Sequence, residues 1–78
     1  HEIMQQVNVK FNDVNQIRRF VDVIDKIDSC FNLGEGRRVV DAKSILGVMA
    51  LDLTRPLQLT YDSDDEGIRE KLTPFIYG

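Results

Sequence analysis

Histidine and cysteine are almost missing from this chain, with one of each, His1 and Cys30, among 78 residues. A lone thiol cannot close an intrachain disulfide, and without a second cysteine or an internal histidine there is no zinc-ligand spacing. A reducing cytosol is therefore the expected compartment, and no metal or other cofactor is expected. Tryptophan is absent, and the two prolines, Pro56 and Pro74, stand far apart, so no Pro-rich linker divides the chain. Basic residues are not in excess: ten Lys and Arg face thirteen Asp and Glu, a net charge of -3. That balance excludes the electrostatic footprint of direct nucleic-acid or anionic-membrane binding. No apolar run approaches the roughly 18 residues of a membrane span, and the first apolar stretch is too short for a signal peptide. What remains is 42% hydrophobic and 29% charged, the balance of an ordinary globule. Seventy-eight residues allow a single domain over 1–78 with one small core, too little for an enzyme with separate substrate and cofactor domains.

The hydrophobic pattern is regular enough to order the elements. Val7, Val9 and Phe11 alternate with Asn8 and Lys10, the period of a half-buried strand. Ile17, Phe20, Val21, Ile24 and Ile27 then form one stripe of a helix whose other face carries Arg18, Arg19, Asp22, Asp25 and Lys26, with Asp13 or Asn15 as N-cap. Gly34-Glu35-Gly36 separates two short runs, Cys30 to Leu33 and Arg37 to Asp41, and predicts a hairpin. Ser44 caps a compact apolar run, Ile45 to Leu51, about two helical turns long. Leu57, Leu59 and Tyr61 alternate as a strand after Pro56. The acidic run Asp62 to Glu66 lacks the spaced ligands and glycine of a calcium loop and reads as a cap. It precedes a helix with buried Ile68, Leu72, Phe75 and Ile76, kinked or shortened at Pro74. The order is β-α-β-β-α-β-α. It fits a ferredoxin-like sandwich with an added helix or an α+β open-faced sandwich, an antiparallel four-stranded sheet covered on one face by three helices.

Val40-Asp41-Ala42-Lys43-Ser44-Ile45-Leu46-Gly47-Val48-Met49-Ala50-Leu51 resembles the second-helix region of the histidine-containing phosphocarriers of the sugar phosphotransferase system, the HPr family. The family pattern there is Val-Asn-Ala-Lys-Ser-Ile-Met-Gly-Val-Met-Ser-Leu, and its Lys-Ser-Ile-x-Gly centre is intact. Carried back without gaps, the register lays the Ile17 stripe on that family's first helix. The resemblance thus spans nearly the whole chain and favours the open-faced sandwich.

The same register exposes a departure. HPr proteins carry Gly-[Leu/Ile]-His-Ala-Arg-Pro before the first helix, where the imidazole accepts phosphate. Here the histidine position falls on Asp13, or on Gln16 if the alignment is shifted locally, and neither alignment supplies a histidine. His1 precedes the first strand and is expected on a mobile terminus. Phosphoryl carriage needs a nucleophile that is neutral near pH 7, which histidine provides and a glutamine amide does not. An aspartate can form an acyl phosphate, so Asp13 is the alternative acceptor of a non-histidine phosphocarrier, although an aspartate before a helix ordinarily acts as a cap.

Two further sites follow from the resemblance. Ser44 occupies the site at which Gram-positive-type family members are phosphorylated by a dedicated kinase, after which they act as co-repressors in catabolite control. Ile45, Leu46 and Met49 occupy the family's apolar docking patch. Their spacing, set apart from Val48 and Leu51, predicts partial exposure, and a flexible Met suits a surface that fits several partners. The expected function is a regulatory adaptor without histidine phosphotransfer and without enzymatic activity of its own. Its expected partners are proteins of the phosphotransferase or catabolite-control systems, a serine kinase among them, and its simplest state is a monomer. A ferredoxin-like RNA-binding module is disfavoured, because the sheet lacks interleaved aromatics and a basic patch. Cys30, at the start of a strand, is expected to be a small buried hydrophobe, and Arg37-Arg38 a solvated charge pair on an edge strand.

Overall fold

A computed structural model describes residues 4–77; His1 lies outside the described residues. The elements are β1 (Gln5–Val9), α1 (Val14–Asp25), β2 (Phe31–Glu35), β3 (Arg38–Asp41), α2 (Ile45–Met49), β4 (Leu57–Tyr61) and α3 (Glu66–Leu72), followed by a 3-10 turn over Thr73–Phe75. The strands form one antiparallel sheet in the order β1-β4-β2-β3, with Val7 opposite Leu59 and Leu59 opposite Leu33. Strand alternation sends Val7, Val9, Phe31, Leu33, Leu57, Leu59 and Tyr61 to one face, where they join Ile17, Phe20, Ile24, Val48, Ile68 and Leu72 in a common buried cluster. The other face carries exposed Gln6, Asn8, Asn32 and Gln58. The order of the strands excludes the ferredoxin-like alternative, which sets its first strand in the middle of the sheet: here β1 lies at an edge beside β4, and with all three helices contributing to the core on one side the fold is the open-faced sandwich.

Local chemistry sets most element ends. Phe20 and Ile24 are fully buried on α1, each such side chain contributing about 1.5–3 kcal/mol of transfer free energy. α1 stops two residues short of Ile27, the last residue of the expected stripe. There the Ile27 N–H donates to the Ile24 carbonyl at 3.0 Å, a tightened final turn. Phe11 lies beyond the end of β1 yet stays buried, its ring 5.1 Å from that of Phe20 and 6.2 Å from that of Phe75. The hairpin turn sits later than the glycine spacing suggested. Glu35 pairs with Arg38, leaving Gly36 and Arg37 as the two loop residues, with Gly36 at φ +60°. A positive φ at the first loop position alone is the pattern of a type II′ turn, whose twist matches that of the flanking strands. Gly34 is consequently a strand residue, opposite both Val39 and Gln58.

Pro74 does shorten the last helix. The chain tightens into the 3-10 turn, and Ile76, expected on the helix, is instead extended and forms an antiparallel bridge with Val9. The Lys10 N–H donates to the Phe75 carbonyl at 3.0 Å and the Tyr77 N–H to the Asn8 carbonyl at 2.8 Å, so residues 75–77 run along the outer edge of β1.

Candidate functional site

The start of α1 is built from three polar residues. Asp13 is the N-cap, its Oδ1 accepting from the Gln16 N–H at 2.8 Å, and Gln16 reaches back with Oε1 to accept from the Asn12 N–H at 2.7 Å. This is a capping box displaced by one residue, because the back-bond reaches the residue before the cap. Both residues on which the resemblance places the family histidine, Asp13 and Gln16, are thus engaged in closing the helix terminus. Asp13 is exposed, and Gln16 is half-buried. Beside them Phe11, Val14, Ile17, Leu53 and Thr54 line a shallow, mostly apolar depression. Val14 and Leu53 were not singled out by sequence reasoning. Val14 fits the α1 stripe by spacing, but as the first helical residue it overhangs the core and remains exposed.

The loop after α2 brings Leu53 and Thr54 to this place. Asp52 organises that loop, its Oδ1 accepting from the Thr54 hydroxyl at 2.6 Å and from the Thr54 N–H at 3.1 Å. These bonds, the hydroxyl's first, hold the Asp52 carboxyl below the usual carboxylate range, with a smaller contribution from the Arg55 charge. The Asp52 N–H in turn donates to Glu35 Oε1 at 3.2 Å, tying the loop to the hairpin.

α2 is only five residues long and packs against α1 and β3. Val48 is fully buried, which turns the rest of this short helix outward: Leu46 is 82% exposed, Met49 43% and Ile45 37%. Ser44 is the N-cap and is exposed, its Oγ accepting from the Gly47 N–H at 3.3 Å. The preceding residue points elsewhere. Lys43 Nζ donates to the Ile27 carbonyl at 2.8 Å and lies 5.8 Å from the centre of the Phe31 ring, linking the end of α1 to the start of α2.

The whole arrangement is similar to that of a phosphocarrier protein HPr from Bacillus anthracis str. Ames, with a TM-score of 0.67 at 24% sequence identity, covering 97% of this chain and 98% of that one. The chain has the HPr fold. HPr-C-His from Thermoanaerobacter tengcongensis is similar as well, with a TM-score of 0.63 at 22% identity, covering 95% of this chain and 88% of that one. Neither a protein-family model nor a curated protein matches the sequence. On the HPr-like fold, the start of α1 and the exposed side of α2 are the two places singled out by the sequence, and the loop after α2 carries Leu53 and Thr54 to the start of α1.

Elsewhere, one expectation is overturned. Cys30 is exposed, because Phe31 and Leu33 fix the phase of β2 and take the inward positions, leaving Cys30 outside the core; its N–H donates to Asp62 Oδ1 at 2.9 Å. The rest of the acidic run serves as capping: Ser63 Oγ accepts from the Asp65 N–H, and Asp65 Oδ1 accepts from the Gly67 N–H at the start of α3. Arg37 lies in the hairpin turn and Arg38 on β3, an edge strand, and both are exposed. Among the described residues no polar or charged side chain is buried, no group of three or more His, Cys, Asp or Glu is placed to hold a metal ion, and no helix is long and apolar enough to cross a membrane.

Proposed function

We propose that this chain is a regulatory adaptor related to the phosphotransferase system, which binds protein partners through Ile45, Leu46 and Met49 and does not carry phosphate on histidine. The observation that carries this reading is the contrast between the two ends of the site. At the start of α1 the Asp13 and Gln16 side chains are engaged with backbone N–H groups, and neither is an imidazole. On α2, by contrast, three large apolar side chains stand in solvent on a helix whose only buried residue is Val48. Exposed apolar side chains grouped on one short element mark an interaction surface, and the flexible Met49 allows it to fit more than one partner. Its partners are phosphotransferase or catabolite-control proteins, met in the cytoplasm.

Ser44 is the switch of this surface. Its hydroxyl is exposed, directly precedes Ile45 and Leu46, and holds Gly47 by a long bond that a phosphate oxygen can replace, so phosphorylation adds charge beside the patch without removing the cap. A kinase acting on HPr-type serines, with ATP, should add one phosphate to the wild type and none to Ser44→Ala.

Incubation with phosphoenolpyruvate and the phosphotransferase that charges HPr proteins tests the main reading: no acid-labile label should appear. A hydroxylamine-sensitive label lost in Asp13→Ala would instead establish the second reading, a carrier using an acyl phosphate on Asp13. That reading stands second because Asp13 Oδ1 already accepts the Gln16 N–H.

A further inference from the structure

The segment Phe75–Tyr77 occupies part of an otherwise open sheet edge, and its bonds identify what it keeps away. Among the described residues β1 pairs with β4 alone, and its outer edge meets only the bridge to Ile76. Alternate residues of an antiparallel strand direct their N–H and C=O groups to the same side. The bonds from Tyr77 to Asn8 and from Lys10 to Phe75 show that Asn8 and Lys10 direct theirs away from β4, and the same period puts Gln6 on that side. The strand itself, Gln5-Gln6-Val7-Asn8-Val9, has no charge and no proline, which are the devices that ordinarily discourage edge-to-edge pairing. The opposite edge, β3, carries Arg38 and Asp41.

We propose that residues 75–77 are a strap that holds the protein monomeric, and that releasing it lets two copies pair antiparallel through β1. Centred on Val7, such a pairing sets Gln6 of one copy opposite Asn8 of the other, and each pair exchanges two backbone hydrogen bonds. Val7 and Val9 stay on the core face and the Gln6 and Asn8 side chains on the other, so the register conflicts with no buried residue. The pairing needs the Asn8 carbonyl as acceptor, the group to which the Tyr77 N–H now donates. Strap and second copy therefore compete for one oxygen. Charge also favours this occupant. Gln5 lines a depression with Asp64, Asp65 and Glu66, and antiparallel pairing brings that acidic end against the Lys10 end of the second copy, twice by symmetry.

Tyr77→Pro removes the competing donor while leaving Phe75 in the core, and Ile76, at φ -68° and ψ 132°, already has the conformation that a following proline requires. Sedimentation equilibrium should show the wild type monomeric and Tyr77→Pro dimerising more tightly by on the order of tenfold or more, since two strap bonds are lost per dimer. Added salt should weaken the dimer. Tyr77→Gly, which keeps the N–H but loses the ring that lies 5.7 Å from Lys10 Nζ, should shift the equilibrium the same way by less, and it serves if the proline variant does not fold. Gln6→Pro added to either variant removes an outward N–H and should restore the monomer, with circular dichroism confirming the fold. A strap variant that is folded and still monomeric at millimolar concentration, or a dimer indifferent to Gln6→Pro, overturns the proposal.

Discussion

Asp52 shows how a single carboxylate shapes the site without touching a partner. Its ionised form is the one that accepts both Thr54 bonds, so its folded-state pKa lies below the ordinary value. A depressed carboxylate pKa means that its stabilising effect is complete above the ordinary carboxylate range and is lost as pH falls through the lowered value. The loop carrying Leu53 and Thr54 should therefore loosen only at acid pH. In Thr54→Val the Asp52 titration, followed by carboxyl NMR, should move up toward the usual range. Asp13 makes a similar bond with a different consequence: Asp13→Ala should cost about 0.5–2 kcal/mol in a chemical denaturation measurement, as loss of an N-cap does. At this scale the sequence was readable wherever a side chain acts on its near neighbours, as with the caps Asp13 and Ser44. It was silent on Gln16 Oε1 and Asn12, because a back-bond displaced by one residue has no distinct signature. It misled at Cys30, whose exposure depends on the phase of the following strand.

Among the elements, the hairpin and α2 are most instructive. The glycine pair around Glu35 marked a turn without locating it, since Gly34 and Gly36 are equally suited to one. Cross-strand pairing decided, leaving Gly36 as the residue with positive φ. Gly36→Ala should accordingly destabilise the protein by roughly 1–2 kcal/mol, while nothing lies within 4 Å of a Cβ there to add a clash. Thermal unfolding monitored by circular dichroism measures it. α2 presents the reverse case, a helix too short to be stable alone that is held by Val48 and by its contacts with α1 and β3. Substituting its exposed residues should then leave stability nearly untouched: Leu46→Ala should fall within about 0.5 kcal/mol of wild type, whereas Val48→Ala, which empties a buried site, should cost clearly more. That separation makes Leu46 the better probe of partner binding.

For the molecule as a whole, the order of elements was legible because the period switches between two and 3.6 residues at nearly every boundary, but periodicity alone left two folds open. The placement of β1 at an edge beside β4, with all three helices contributing to the core on one side of the sheet, resolves that choice, and it depends on contacts between distant residues that no local pattern encodes. The departures at Ile27 and Ile76 have one origin: both residues stay packed, partly buried, against the core while leaving the helix the stripe assigned them to, since contact with the core constrains where a side chain goes more tightly than which backbone carries it.

The pairing of the first strand with the fourth also dictates an order of assembly. β2, β3 and α2 meet through neighbours close along the chain, and Lys43 fastens them to the end of α1, whereas Val7 finds Leu59 only after a loop of roughly fifty residues has closed. β1 should then be the last strand to join and the first to leave. Native-state hydrogen exchange should find the Val7 and Val9 amides opening at lower free energy than that of Leu33, in a subglobal event that precedes global unfolding.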